Sequence, residues 1–521
     1  MKLRDLLKYE CSVTGDDQKD ITGITYDSRC IEKGFIFAAI RGEKADGHDF
    51  IEGAVARGAV AIICENGHPK VPGLIERYQA VSWVEVDDCR DALAAFSSAF
   101  YRNPSGEVGV IGITGTNGKT TTSYLVKSIL EKWDKGVGLI GTIRYMIKDR
   151  SFDAPHTTPE ASDFQRLLRE MADEKCDYVV TEVSSHAISQ KRTGHTQFRV
   201  AVFTNLTRDH LDFHGTMEEY YNSKAGLFLE SLSEDGTAVI NVDDPYGRKL
   251  SEAMKGRRPA VKQITFSLND RGADVSASDI KATFRSTSFN IKIKGRVSGI
   301  EISSPMVGQT SVYNILAAVC AVLPLNVPDE VIRSGVAAVD LVKGRFERVD
   351  LGQPFLAVVD YAHTDDALER LLLTARQLLN SSRQGKIITV FGCGGNRDRG
   401  KRPKMGSAAS GASDFVIVTS DNPRHEDPTA IIRDIETGIG KDNYIVIQDR
   451  RTAIRMAVLL SSPGDVVVVA GKGHEDYQEI GGVRHPFSDR KVLEEAICES
   501  TVVNARGRSK KRYAGVAQCL K

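Results

Sequence analysis

The chain has 521 residues, with 69 basic and 69 acidic side chains and nine cysteines. That length fits roughly three domains, each able to bury its own core, and the balanced charge leaves no global field to favour nucleic acid or an anionic membrane. No apolar run approaches a bilayer span, Met1 to Glu10 alternates charge with leucine rather than forming a secretory signal, and no C-x-x-C pair occurs; a cytoplasmic protein without a disulfide framework or a zinc knuckle is expected.

Residues 1–105 read as a first unit of short strands and helices, closed by the turn-rich Arg102-Asn103-Pro104-Ser105-Gly106. Within it, Thr25-Tyr26-Asp27-Ser28-Arg29 and Asp46-Gly47-His48-Asp49-Phe50-Ile51 set polar side chains in loops beside strands. Binding and ordinary loop chemistry suit them equally.

In residues 106–342, Val108, Val110, Ile111 and Ile113 predict a strand. Gly115-Thr116-Asn117-Gly118-Lys119-Thr120 then predicts a phosphate loop, and Leu125, Val126, Ile129, Leu130 and Trp133 one face of a helix. Glycines let backbone N–H groups turn inward around phosphate oxygens, and the helix N-terminus adds partial positive charge. Lys119 suits the β- and γ-phosphates, and the Thr120 hydroxyl suits Mg²⁺. The strict P-loop pattern needs glycine where Ile113 stands, and Gly112 falls one residue early. A glycine-rich turn without a ligand is the alternative. Apolar runs at 178–180, 200–203 and 238–240 predict buried parallel strands. Their carboxyl ends should bring Glu182 and the Asn205–His210 segment to the phosphate-loop crevice. His210 and His214, spaced i and i+4, read as a pair on one helix face; zinc is disfavoured because the H-E-x-x-H form is absent.

From about 345 onward, strands are predicted near 355–359, 387–391, 415–419, 444–447 and 466–469, with helices between them: a second doubly wound α/β unit. Gly392–Arg397, Asp421–Arg424 and Gly471–Glu475 follow three of these strands. Gly471-Lys472-Gly473 is not another phosphate loop, since glycine follows the lysine where Ser or Thr is required. Five of the seven residues 506–512 are basic, and 499–521 is expected to be a disordered basic tail, with nucleic-acid binding the lesser alternative.

Thirteen stretches carry a family resemblance: TYDSR with DGHDFI, GTNGKTT, HTTPE, EVSSHAISQKR, TNLTRDHLDFHGTMEEYYNSKAGLF, SVYNILAA, KGRFE, VVDYAHTDDALE, FGCGGNRDRGKRP, DNPR, AGKGHEDYQ and HPFSDRK. With them the sequence resembles the Mur ligase family, and within it the ligases that add the third residue of the peptidoglycan precursor peptide. The resemblance implies a uridine-nucleotide-binding α/β domain over 1–105, a central P-loop ATPase domain with a mainly parallel sheet over 106–342, and a Rossmann-like amino-acid-binding domain over 343–498. It implies ATP as co-substrate and Mg²⁺ as cofactor. ATP would convert a carboxylate to an acyl phosphate, which an amine then attacks.

The resemblance further implies that Lys119, Glu182, His210 and Lys224 are catalytic, with Thr120, Glu182 and His210 beside Mg²⁺ and Lys224 a carbamate ligand of a second Mg²⁺. Gly115, Thr116, Asn117, Gly118, Lys119, Thr120, Thr121, Asn314, Arg345 and Asp360 would bind ATP. Ser28, Thr157, Thr158, Ser184, Gln190 and Arg192 would bind UDP-MurNAc-L-Ala-D-Glu. Arg397, Asp421, Asn422, Pro423, Arg424, Gly471 and Glu475 would bind meso-diaminopimelate. DNPR is the form of its motif seen in diaminopimelate-adding members, and a guanidinium fork at Arg424 suits the second carboxylate. A lysine-adding ligase, a folylpolyglutamate synthase and a non-catalytic cell-wall scaffold are the alternatives. A monomer with small-molecule partners only, and no membrane or nucleic-acid partner, is expected.

Overall fold

The computed structural model describes residues 1–42, 45–382 and 385–506. The first sheet holds β1 (Ser12–Thr14), β2 (Gly23–Thr25), β3 (Phe35–Ala38), β4 (Ala61–Glu65) and β5 (Ser82–Val86) in the order β1-β5-β4-β3-β2. Only the short edge strand β1 is antiparallel. The helix Cys89–Phe100 starts where the Asp88 carboxylate accepts the Arg90 and Asp91 amides, a standard N-cap. It buries Leu93 and Phe96 against Ile36, Ile63 and Val84.

The central sheet has eleven strands: β6 (Gly109–Thr114), β7 (Val137–Ile140), β8 (Arg144–Ile147), β9 (Arg150–Asp153), β10 (Tyr178–Glu182), β11 (Phe198–Phe203), β12 (Leu232–Asn241), β13 (Lys262–Ser267), β14 (Val275–Ala282), β15 (Thr287–Ile293) and β16 (Ile300–Ser304). β6 lies between β11 and β10, all parallel, and antiparallel pairs extend both edges. Strand periodicity sends Ile111 and Ile113 to one face, against Leu125 and Ile315, and Val110 to the other, against Phe164 and Phe198. Both faces are thus covered, so β6 is apolar throughout. A Cβ on Gly112 would sit 2.7 Å from the Phe198 ring. This glycine serves strand packing, not phosphate.

The third sheet runs β17-β18-β22-β19-β20-β21, built from β17 (Glu347–Val349), β18 (Leu356–Asp360), β19 (Ile387–Phe391), β20 (Phe415–Val418), β21 (Tyr444–Val446) and β22 (Val466–Ala470). The hairpin β23 (Tyr477–Ile480) and β24 (Val483–Pro486) stands beside it. All five predicted strands form, within a residue or two of their predicted ends. The basic tail is corrected in part: a helix spans Asp489–Arg506 and so takes in the first eight residues expected to be disordered. Val492, Leu493, Ala496 and Ile497 are buried against Val359, Val467 and Val469, and once a helix is docked each added residue propagates it at little further cost. Residues 507–521, which carry most of the basic run, lie outside the described residues.

Arg450 and Asp489 form a fully buried pair at 2.7 and 2.8 Å, and Arg450 also donates to Ala470 O at 2.8 Å and Ser420 O at 3.4 Å. The guanidinium therefore ties the ends of β20 and β22 together. Nearby, Arg402 holds Glu426 at 2.9 and 3.0 Å and Asp434 at 2.9 Å. Hydrogen bonding from Arg402 brings Glu426 down to about 2 from its ordinary 4.5, against burial. We expect Arg450→Met to lower unfolding free energy by about 3–5 kcal/mol, because it strands the Asp489 charge, and Arg450→Met with Asp489→Leu to recover most of that loss, both read by urea denaturation. Because the folded state lowers the Glu426 value, its contribution is complete above the unfolded value and lost as pH falls toward 2. The difference in urea midpoint between wild type and Glu426→Gln should accordingly be larger at about pH 7 than at about pH 3.

Candidate active site

The carboxyl ends of β6, β10 and β11 meet where the strand order switches direction, the place where open α/β sheets gather ligands. Gly115 adopts φ +142° and Gly118 φ +90°, and the helix Lys119–Lys132 begins directly after. Neither glycine has room for a side chain: a Cβ would lie 2.0 Å from Thr204 Oγ1 at Gly115 and 2.5 Å from Asn314 Oδ1 at Gly118. Lys119 Nζ donates to Gly115 O at 2.8 Å and Thr116 O at 2.9 Å, folding back over the loop. Asn314 is buried in mid-helix rather than at a cap, its side-chain oxygen over Gly118.

Thr120 Oγ1 donates to Glu182 Oε2 at 2.9 Å, and Glu182 also accepts the Thr142 hydroxyl at 3.0 Å and amide at 2.8 Å. The hydroxyl and the fully buried carboxylate are hard oxygen donors of the kind Mg²⁺ takes. Lys224 is 1% exposed, which removes the reading of a solvated helix lysine. Its Nζ reaches Gly115 O at 2.9 Å and lies 4.7 Å from the Tyr220 ring centre. Burial, then the Lys119 charge, push Lys224 well below its ordinary value, with Asp209 opposing.

His210 and His214 are not a pair on one helix face. His210 sits ahead of a one-turn helix at φ +54°, a conformation non-glycine residues hold only under constraint. His214 is buried and shares a hydrogen bond of 2.9 Å with Ser185 Oγ. The His210 side chain is 42% exposed to the cleft, yet the surrounding walls hydrate an imidazolium poorly. That burial pushes it down to about 3, with Asp209 opposing. It is therefore neutral near pH 7. Asp209 is held at about 2 despite burial, chiefly by His210 and His363.

Between the first and second sheets, Thr157 shares a hydrogen bond of 3.1 Å with Thr142, and Thr158 donates to Glu182 O at 2.8 Å. Ser184 caps the helix Ser185–Ser189. Arg192 donates to Gln190 at 2.7 Å and Thr158 O at 3.0 Å, and pairs with Glu160 at 2.9 Å. Five of the six residues expected at the nucleotide-sugar site are thus joined through one network. Ser28 lies across from them, in the turn after Tyr26, whose phenol is pushed up to about 12 by burial and by Asp163 and Glu160. In the same unit, Asp46, His48 and His68 have the spacing of a metal site, but His48 Nδ1 and His68 Nε2 meet Asp46 at 2.7 and 3.3 Å, while His48 Nε2 accepts the Glu65 amide. The trio is satisfied by hydrogen bonds.

A second cleft opens between the central and third sheets. It is lined by Asp209, His210, Arg397, Asp421, Asn422, Arg424, Gly471 and Glu475. Gly471, at φ +117°, leaves the space a Cβ would need to Asp421, and Pro423 O packs against Gly395. Arg424 donates to Gly395 O at 2.6 Å and lies 3.6 Å from Glu479. The cleft at Gly118 is lined by Asn314, Arg345, Asp360, Tyr361 and His363, and Tyr361 and His363 also line the second cleft. Arg345 donates to Thr120 Oγ1 at 3.2 Å. Asp360 spends both oxygens on the Phe346 and Ala362 amides, so it braces the Arg345 loop.

Sequence reasoning assigned no site role to Glu160, Asp209, His363 or Lys472, although it brought the segment holding Asp209 to the crevice. Glu160 and Lys472 stand inside quoted motifs, HTTPE and AGKGHEDYQ, but only contact geometry distinguishes them from their neighbours. Among the described residues, no helix is long and apolar enough to cross a membrane.

Three family models match in chain order: "Mur ligase family, catalytic domain" over 20–101, "Mur ligase middle domain" over 113–322, and "Mur ligase, glutamate ligase domain" over 344–473. A Geobacter metallireducens protein named UDP-N-acetylmuramoyl-L-alanyl-D-glutamate--2,6-diaminopimelate ligase is 43% identical, covering 96% of this chain and 99% of its own. One of that name from Aquifex aeolicus is 43% identical over 92% of this chain and 94% of its own. A solved structure of a ligase of that name superposes with a TM-score of 0.66 at 33% identity, over 96% of this chain and 99% of the other. The MurF ligase from Thermotoga maritima in complex with ADP shares the fold, with a TM-score of 0.59 at 21% identity over 93% of this chain and 98% of its own. Matched in all three of its units and paralleled along nearly its whole length, the chain belongs to the Mur ligase family.

Proposed function

We propose that the chain is an ATP-dependent ligase that joins meso-diaminopimelate to the γ-carboxylate of D-Glu in UDP-MurNAc-L-Ala-D-Glu, a step of peptidoglycan precursor synthesis in the cytoplasm. The observation that carries this reading is the shared wall of Tyr361 and His363, which sets a phosphate-loop cleft directly beside a cleft rich in carboxylates and guanidinium groups. The relatives named for diaminopimelate addition support the choice of amine. We set the unit boundaries at 105/106 and 342/343 and read the protein as a monomer.

The carboxylate oxygen attacks the γ-phosphorus of ATP, the bond to the β–γ bridging oxygen breaks, and ADP leaves. The diaminopimelate amine, having lost a proton, then attacks the acyl carbon and phosphate departs. Gly115–Thr121 hold the phosphates, with Asn314 and Arg345 beside the nucleotide. Thr120 and Glu182 would hold Mg²⁺ with His210 nearby, and the ion when bound offsets the charge between phosphate and carboxylate. Lys224 fits carbamate formation, because only a neutral amine adds to carbon dioxide and its surroundings favour that form. Ser28, Thr157, Thr158, Ser184, Gln190 and Arg192 orient the nucleotide sugar. Arg397, Asp421, Asn422 and Arg424 receive diaminopimelate, Arg424 its distal carboxylate and Glu475 its distal ammonium. For the Arg424 fork to engage that carboxylate, its pairing with Glu479 must give way.

ADP release is expected only with UDP-MurNAc-L-Ala-D-Glu, ATP and diaminopimelate all present, with lysine supporting turnover at least about a hundredfold less well because Arg424 would be left unpaired; equal rates would refute the assignment. Lys224→Ala should abolish turnover, and short carboxylic acids should restore part of it. Full activity in that variant would remove the carbamate from the scheme.

A further inference from the structure

Lys472 has no part in the site as assigned, yet its side chain is fully buried inside it. Its ammonium donates to Asn422 Oδ1 at 2.8 Å and Glu475 Oε2 at 2.9 Å, lies 4.0 Å from Asp421 Oδ1, and faces the Tyr477 ring at 5.5 Å. Asn422 is held at both ends: Oδ1 accepts from Lys472 and from the Glu479 amide, and Nδ2 donates to Glu475 Oε2 at 2.8 Å. Among the described residues, Asn422 and Lys472 both meet the Glu475 carboxylate at Oε2, and Glu475 lines the cleft.

We propose that Lys472 is a positioning and specificity residue of the amino-acid site, fixing Asn422 and Glu475 in one geometry and setting the pocket's charge to accept a single ammonium group. The inference rests on the reading of this cleft as the diaminopimelate site. The charge balance follows from the neighbours. Arg397, Lys401 and Arg424 line the same cleft with Asp209, Asp212 and Asp398. Within the buried cluster, Lys472 and Arg450 face Asp421, Glu475 and Asp489, so two cations meet three carboxylates and one negative charge is left over. An incoming distal ammonium neutralises it. Without Lys472 two charges would be left uncompensated, and a buried cluster of that kind takes up a proton instead. Glu475 would be the acceptor, because burial, then Asp421, already push it up, with Lys472 the largest opposing influence. The Tyr361 and Tyr477 phenols facing Glu475 are themselves pushed up and stay neutral. A protonated Glu475 would bind the ammonium weakly.

The test is steady-state ADP release by full-length protein at saturating ATP and UDP-MurNAc-L-Ala-D-Glu, with diaminopimelate varied. Lys472→Met should raise the KM for diaminopimelate about tenfold or more near pH 7.5, the scale of one lost charge-assisted hydrogen bond. The KM values for ATP and the nucleotide sugar should stay within about twofold, since their clefts are not touched. Raising the pH should shrink the defect as Glu475 ionises again. Lys472→Arg, which restores the charge, should bring the KM back to within about threefold. A diaminopimelate KM equal to wild type in Lys472→Met would overturn the proposal, as would a fall in kcat with every KM and the pH profile unchanged, the signature of a merely structural lysine. If Lys472→Met does not fold, Lys472→Gln keeps the donors without the charge, and a normal KM there is equally decisive. Wild-type protein that releases no ADP with diaminopimelate would instead defeat the ligase reading, and this inference with it.

Discussion

One carbonyl oxygen, that of Gly115, receives two lysines: Lys119 at 2.8 Å and Lys224 at 2.9 Å. Two ammonium groups on a single acceptor in a buried loop repel strongly, because little water is present to screen them. The surrounding residues answer that constraint with the Glu182 and Asp209 carboxylates close by, and with an open cleft at the phosphate loop where polyanionic phosphate can enter. The alternative response is loss of a proton from Lys224, which burial favours. The same crowding of positive charge that suits the loop to phosphate thus also favours the neutral amine that the proposed carbamate at Lys224 requires.

The geometry at that loop is completed from a distance. Arg345 reaches Thr120, Asn117 donates to Asp366 at 3.1 Å, and Arg208 pairs with Asp398 at 3.3 Å, all across the junction between the central and third sheets. Arg348 donates to Phe284 O at 2.7 Å, so the β14–β15 hairpin tip also touches the third unit. These polar contacts are partly buried, and each adds only a modest net stabilisation. Units joined by such contacts are able to move relative to one another, and substrate-driven closure is how many enzymes exclude water from a reactive intermediate.

The cleft proposed to receive diaminopimelate, by contrast, is braced by buried charge. Arg402 fixes the loops around Gly394 and Glu426, and Arg450 fixes Ser420 and Ala470, so the two arginines orient the segments that carry Arg424, Asp421 and Glu475. Buried ion pairs recover little net stability after desolvation, and their best-attested value is geometric. Here that geometry fixes where the charged groups of the cleft stand.

Much of this was legible in the residues. Continuous apolar runs located buried parallel strands in the second and third units, to within a residue or two in the third, because a strand covered on both faces has no choice but to be apolar. GTNGKTT announced its loop because only glycine tolerates φ +142° at Gly115 against Thr204, and the missing glycine at Ile113 reflects a strand residue buried at 0%. The disordered tail was misjudged at its start, since its helix docks against β18 and β22, and Val359 of β18 lies more than a hundred positions away in the chain. Tertiary structure alone decided that His214 is tied to Ser185 while His210 lies outside the helix, that Lys224 is buried rather than solvated, and that Lys472 stands between Asn422 and Glu475. Local sequence determines backbone preference and which faces must be apolar. It does not encode the distance between charges brought together by different strands, and that distance governs protonation, ligand choice and chemistry in this protein.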